Sequence, residues 1–330
     1  MSVLPTAASG GRAAPGANAK VVLVTPSYRN DFQLAVDLCR SVDEFFEGDF
    51  EHILIVPQRD MAMFSGLKGP RRRVITQQSV LAAQGFTYLP LPTQIRIPPF
   101  LDLRLRQQVW CCGVGRISGW VTQQLIKLSA SSLSDAELIL FLDSDVLLFR
   151  PLSAERLRRG GRTDLHRAPM RDDLHEHHGW YRTAREVLGV GNASPPPFNY
   201  IGQLITWNRS NLVRLHRHIS EVCGEPWQRA LARRRNFAEY ILYGVFCDEV
   251  LGAASGHAAQ PSELTHSVWT DATALNAQSV REGMQDTHVA LHMQSTLRLP
   301  IEQRRLLLRA VIDHEHADHG SVRAASREVA

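Results

Sequence analysis

Asp143 and Asp145 stand one residue apart inside an otherwise apolar segment, Glu137-Leu138-Ile139-Leu140-Phe141-Leu142-Asp143-Ser144-Asp145-Val146-Leu147-Leu148-Phe149. Two carboxylates at that spacing offer hard oxygen ligands that suit Mg²⁺ or Mn²⁺, ions usually shared with substrate phosphates. The apolar run before them lacks alternation and is too short for a surface helix. It reads as a strand buried on both faces, the central strand of a parallel sheet. Open α/β sheets bind ligands at the carboxyl ends of such strands. A solvated turn is the plainer reading, but carboxylates inside an apolar segment are costly unless paired or metal-bound.

The remaining chemistry-bearing residues are sparse. Lysine occurs only at positions 20, 68 and 127, and arginine carries almost all the positive charge, a usage typical of GC-rich bacterial genomes. His288 and His292 lie four apart in an apolar stretch, so on a strand both face the same side. Glu239 opens a helical pattern, a place the helix dipole favours for an acid with no further role. His175-Glu176-His177-His178 misses the H-E-x-x-H zinc spacing, because Gly179 stands where the second ligand belongs. Five cysteines without a C-x-x-C argue against a disulfide scaffold and a structural zinc site, and point to a reducing cytoplasm. A net charge of +4 and short Arg clusters at 71–73 and 233–235 give no reason to expect nucleic acid.

These residues need a frame. Lys20–Thr25 and His52–Val56 are buried strands, each closed by a proline, with a helix over 31–46 between them, capped by Asn30 or Asp31. Val74-Ile75 and Phe86–Leu91 are further strand candidates. Residues 92–100 are Pro-rich and extended, and a helix over 117–132 leads into the Asp-x-Asp strand. An apolar strand over 198–207 follows, then helices over 209–223, 226–234 and 238–251, a strand over 287–293 and a last amphipathic helix over 301–313. The alternation predicts α/β architecture with a mostly parallel sheet. One domain over 20–314 is expected, between a disordered segment 1–19 and a flexible tail 315–330 that holds His314, His316 and His319. There is no signal-peptide core and no run long enough to span a membrane.

Ile126-Lys127-Leu128 and Leu138 to Asp145 resemble the donor-binding core of retaining GT-A glycosyltransferases, and Gly119-Trp120 with Gln123-Gln124 just upstream is similar to bacterial relatives of these enzymes. That group includes glycogenin, the bacterial lipopolysaccharide galactosyltransferases and bacterial relatives of these. Lys127 lies sixteen residues before Asp143, an interval similar to that of glycogenin. The resemblance spans about residues 20–300. It implies a GT-A, Rossmann-like fold and a hexosyltransferase with a nucleotide-sugar donor, UDP-linked by analogy, and Mn²⁺ or Mg²⁺. The acceptor would be a glycan, a lipid-linked sugar or a small molecule. By the same resemblance Asp143, Asp145 and His292 are the metal ligands, with His288 as the alternative. Thr25, Pro26, Tyr28, Gln124, Lys127, Asp143 and Ser144 would hold the donor, with Tyr28 able to stack on uracil. Lys127 would neutralise phosphate, and Glu239 or Gln203 would serve the reacting face of the sugar. Phe198-Asn199-Tyr200-Ile201-Gly202 resembles the family's Phe-Asn-x-Gly with one residue added, and Glu239-Tyr240 stands where the family has Asp-Gln. Acceptor loops are expected at 160–197 and 255–285.

Two rivals use the same residues. A haloacid-dehalogenase-type phosphatase also places D-x-D after a buried strand, and Asp172-Asp173 could supply its late acidic pair. It needs a lysine downstream of the motif, however, and none follows Lys127. An inactive binding module that keeps the fold is the other.

Overall fold

A computed structural model describes residues 20–89, 94–97, 101–104, 108–191, 195–260, 263–269 and 276–313. The expected segment 1–19, the tail 315–330 with its histidines, and parts of the Pro-rich stretch lie outside these residues.

The central sheet has the order Ile205–Asn208, Leu138–Phe141, Val21–Pro26, Phe50–Val56, Arg72–Thr76. Its neighbours run parallel, except that Ile205–Asn208 is antiparallel to Leu138–Phe141. The inner strands Val21–Pro26 and Leu138–Phe141 are apolar on both sides for a reason visible in the packing. Val22, Val24, Ile139 and Phe141 face one core, and Val21, Leu23, Leu138 and Leu140 face another. The helix Phe32–Phe45 covers the second face through Leu38 and Val42, and Gly119–Leu128 covers the first through Val121, Leu125 and Ile126. The architecture is therefore α/β with a mostly parallel sheet between helices, as the alternation predicts.

The chain leaves this sheet at the two aspartates. After Phe141 it turns through Asp143–Asp145 into Val146–Leu148, which belongs to a different sheet and pairs antiparallel with Ala290–Met293. The register sets Val146 opposite His292, so Asp145 and His292 are neighbours by construction.

Several elements differ from the sequence reading. The strand expected over 198–207 is two pieces, Phe198–Asn199 and Ile205–Asn208. Between them Leu204 takes a φ of +55° and Gly202 packs against His166, where a Cβ would lie 3.0 Å from Nε2. The helix expected over 238–251 is α-helical from Glu239 to Val245 and a π-helix from Phe246 to Leu251. The expected loop 160–197 holds the strand Arg162–His166 and the helix His175–Leu188. Within the Pro-rich stretch, Gln94–Ile97 pairs antiparallel with Leu101–Arg104.

Four histidines are buried neutral in this body. Burial, and then the Arg72 charge, depress His52 to about 3, while its Nδ1 accepts a hydrogen bond from Arg72 Nε at 3.0 Å. Burial holds His166, His216 and His257 each near 4. A base whose folded pKa is depressed contributes stability above its unfolded value, near 6.5, and loses it as pH falls toward the folded value. Urea unfolding free energy is thus expected to fall steadily from pH 7 to pH 4.5, by up to about 1.4 kcal/mol per pH unit for each such histidine. A flat profile over that window would contradict this burial pattern.

Candidate active site

A cleft of about 400 Å³ opens at the carboxyl ends of the central strands. It is lined by Pro26 and Asp31 after the first strand, Gln124 and Lys127 on the 119–128 helix, and Asp143 and Asp145 at the sheet switch. Gln203, Glu239, Tyr240 and His292 complete its polar wall. Residues about 270 positions apart in sequence meet here because every contributing element ends on the same side of the sheet.

Lys127 is the hub. Its Nζ lies 3.1 Å from Glu239 Oε1 and 3.4 Å from Asp143 Oδ1, and donates to the Tyr240 hydroxyl at 2.9 Å. Lys127 and Glu239 are both buried. Burial opposes the lysine charge, but Asp143, Tyr240 and Glu239 outweigh it and hold the amine above the ordinary lysine range. Burial raises the Glu239 carboxyl, with Lys127 pulling the other way. Glu239 also opens its helix, and its backbone N–H, one of the donors a helix start leaves free, is capped by Gln124 Oε1 at 3.1 Å.

The second group is Asp145 and His292. His292 is buried and Asp145 partly so, with His292 Nε2 3.6 Å from Asp145 Oδ2, beyond a good hydrogen bond. His292 Nδ1 is buried and finds no hydrogen-bond partner among the described residues. Burial pushes the Asp145 carboxyl up, but the His292 ring and the Ser295 amide, donating at 2.8 Å, outweigh it and hold it below the usual range. The turn that presents Ser295 is braced from behind by Arg304, a buried guanidinium that donates to the carbonyls of Met293 and Gln294.

Residues 21–313 match DUF6492, a family of unknown function. The chain belongs to that family. No curated protein matches it significantly. Among solved structures it is similar to an active-site mutant of LgtC, with a TM-score of 0.43 and 14% identity, covering 82% of this chain and 86% of that one. It is likewise similar to galactosyltransferase LgtC in complex with donor and acceptor sugar analogs, with a TM-score of 0.43 and 12% identity, covering 88% and 95%. What this DUF6492 cleft can do is read from its own side chains.

Two donors bound to one divalent ion at about 2.1 Å stand roughly 3–3.5 Å apart. Asp145 Oδ2 and His292 Nε2, 3.6 Å apart, fit such an ion. Asp143 is 38% exposed and turned to Lys127. Among the described residues no three His, Cys, Asp or Glu side chains close on one point as they stand.

Several expected site residues are elsewhere engaged. Thr25 is fully buried, and its hydroxyl meets His52 Nε2 at 3.0 Å, so its side chain belongs to the core. Ser144 is buried and donates to Ser27 Oγ at 2.8 Å. Tyr28 is exposed and does not line the cleft. Asn199 holds His177 Nδ1 at 3.1 Å and accepts the Ile201 amide, acting one layer behind the cleft. His288 precedes the strand Ala290–Met293, so strand alternation does not reach it; it packs beside His266 and accepts the Gln285 amide. Asp173 pairs with Arg171 on the surface, and neither Asp172 nor Asp173 lines the cleft, which removes the acidic pair a phosphatase would need.

The sequence reading passed over Trp180 and Trp269 and named Asp31, Trp120 and His177 only in other connections; all five line the cleft. Asp31 is the N-cap residue of the first helix, yet its side chain makes no capping bond. Burial, then the Asp145 charge, pushes its carboxyl up to about 6. A larger cavity, of about 690 Å³, is walled by Arg116 and Arg233–Arg235 and has no carboxylate or imidazole among its lining residues.

Proposed function

We propose that this protein is a metal-dependent GT-A glycosyltransferase that moves a hexose from a UDP-linked donor to a hydroxyl acceptor. The observation that supports it is the gathering of two groups in one cleft at the strand ends. One is a buried lysine between two carboxylates, and the other is an Asp–His pair spaced for a divalent ion. A nucleotide-sugar presents a diphosphate and an electrophilic anomeric carbon, and the two groups match those demands.

Asp143, Asp145 and His292 would hold Mn²⁺ or Mg²⁺, which would act as a Lewis acid on the departing diphosphate. Lys127 keeps a full positive charge in a buried setting, where it is worth most against phosphate. Glu239, held by Lys127 and Gln124, sets a carboxylate at the cleft wall that would stabilise the oxocarbenium-like sugar or take the acceptor proton. Gln203, also buried at the wall, would orient a sugar hydroxyl.

Calorimetry with UDP-, GDP- and CMP-sugars, each with Mn²⁺ and with EDTA, tests the reading. Binding is expected for a UDP-sugar with Mn²⁺ and not with EDTA. Asp145→Asn should reduce that affinity by one hundredfold or more with the melting temperature little changed, and His292→Ala should weaken it far more than His288→Ala. Preference for a CMP-sugar, or equal binding by Asp145→Asn in EDTA, would defeat it.

A further inference from the structure

Trp120 is 43% exposed at the mouth of the cleft, and a large apolar ring left open there calls for an explanation. Its orientation is set by a hydrogen bond: Nε1 donates to the Phe237 carbonyl at 3.0 Å. One face is covered by Trp180, stacked with centroids 5.3 Å apart and planes 22° from parallel. Trp180 is in turn stacked on His177 at 4.9 Å and 28°, and His177 is tied to Asn199. The result is a pile of three rings hydrogen-bonded at both ends, with the outer indole presented to solvent.

The surroundings narrow what would cover it. Trp120, Gln123, Gln124 and Lys127 share one face of the 119–128 helix, at the i, i+3, i+4, i+7 spacing. Gln124 uses its carbonyl oxygen on the Glu239 amide, which leaves its NH₂ to donate. A flat apolar plate rimmed by amides matches a sugar ring, whose C–H face is apolar and whose hydroxyls project from the edge. Seven residues of helix separate Trp120 from Lys127 by about 10.5 Å, the reach of a disaccharide. Of the other two cleft indoles, Trp180 is taken up by the stack, and Trp269 is at the opposite group, edge-on to His292 at 4.6 Å. The nucleotide therefore has an aromatic neighbour of its own beside the Asp145–His292 pair, and Trp120 is left for the second substrate.

We infer that Trp120 is the platform of an acceptor subsite and that the acceptor is a pyranose-containing glycan, stacked on the open indole face with its hydroxyls on Gln123 and Gln124. This rests on the transferase reading for the word acceptor, but the stacking itself is measurable without turnover.

The test follows the six indole N–H signals of the ¹⁵N-labelled full chain, with Trp120→Phe, Trp269→Phe and Trp110→Phe used to assign the exposed rings. The probes are methyl β-D-glucopyranoside, methyl β-D-galactopyranoside, methyl α-D-mannopyranoside and cellobiose. Galactitol, which carries hydroxyls but no ring face, is the control, and UDP with diamagnetic Mg²⁺ reports the donor end. At least one pyranoside is expected to move the Trp120 signal saturably while galactitol does not, and UDP with Mg²⁺ is expected to move Trp269 instead. In Trp120→Ala the affinity for that pyranoside should fall roughly three- to tenfold, with UDP affinity unchanged. If no pyranoside moves Trp120, if galactitol moves it equally, or if UDP moves it, the platform assignment is overturned. Because the first two comparisons use the parent chain, they stand even if Trp120→Ala does not fold. Pyranoside stacking without any UDP binding would keep the platform and defeat the transferase reading; UDP binding without stacking would do the reverse.

Discussion

Lys127→Met is expected to reduce sugar transfer by at least a hundred- to a thousandfold, the usual loss when a charge aimed at a developing anion is removed. It is also expected to destabilise the fold, by about 3–5 kcal/mol, because one partner of a buried ion pair is left behind. The two effects can be separated. Glu239 and Lys127 are both buried and 3.1 Å apart, so deleting the lysine strands a carboxylate in the interior. Lys127→Met combined with Glu239→Gln removes both charges, and the melting temperature should recover most of its loss while activity does not. Steady-state turnover of a UDP-sugar and thermal unfolding of the two variants make the comparison. Parental turnover in Lys127→Met would remove the lysine from the chemistry altogether.

Gly244→Ala should be among the most disruptive single-methyl additions in the protein. A Cβ at Gly244 would stand 2.2 Å from two carbons of the Tyr200 ring and 2.7 Å from a third. Tyr200 cannot step aside: it is buried, and its hydroxyl donates to Asp248 Oδ2 at 2.8 Å. The helix Glu239–Val245 must then move, and it carries Glu239 and Tyr240 at its other end. Overpacking of this kind costs about 1–3 kcal/mol, and the displaced Glu239 should lower turnover as well as stability. Differential scanning calorimetry and turnover should fall together, and a second change, Tyr200→Val, should recover part of both. A parental melting temperature for Gly244→Ala would mean that the helix and Tyr200 are packed less closely than this.

The place of the two aspartates at a strand end was legible from sequence because a carboxylate pair in an apolar run has few inexpensive explanations, whereas His292 was singled out by resemblance, alternation having offered it together with His288. His288 shows the limit of that rule: the strand begins at Ala290, two residues too late to carry it. Thr25 and Ser144 illustrate a different difficulty. Both flank the cleft in sequence, but a hydroxyl is short and is readily taken by a buried neighbour, here His52 and Ser27, which only tertiary packing reveals. Asp31 read as a helix cap because Asp is favoured there; its role at the cleft depends on Asp145, more than a hundred residues downstream. The aromatic pile was invisible for the same reason, since Trp120 and Trp180 sit on separate helices with no local pattern linking them.

Arg304 reaches the carbonyls of Met293 and Gln294, and its neighbour Arg305 pairs with Asp37 on the first helix at 2.9 Å. The helix over 301–313 thus clasps the first helix and braces the turn that presents Ser295 to Asp145. Arg305 and Asp37 are 268 positions apart in sequence, so this wall of the cleft closes only when both ends of the fold have come together, and loosening the clasp at either end would be felt at Asp145.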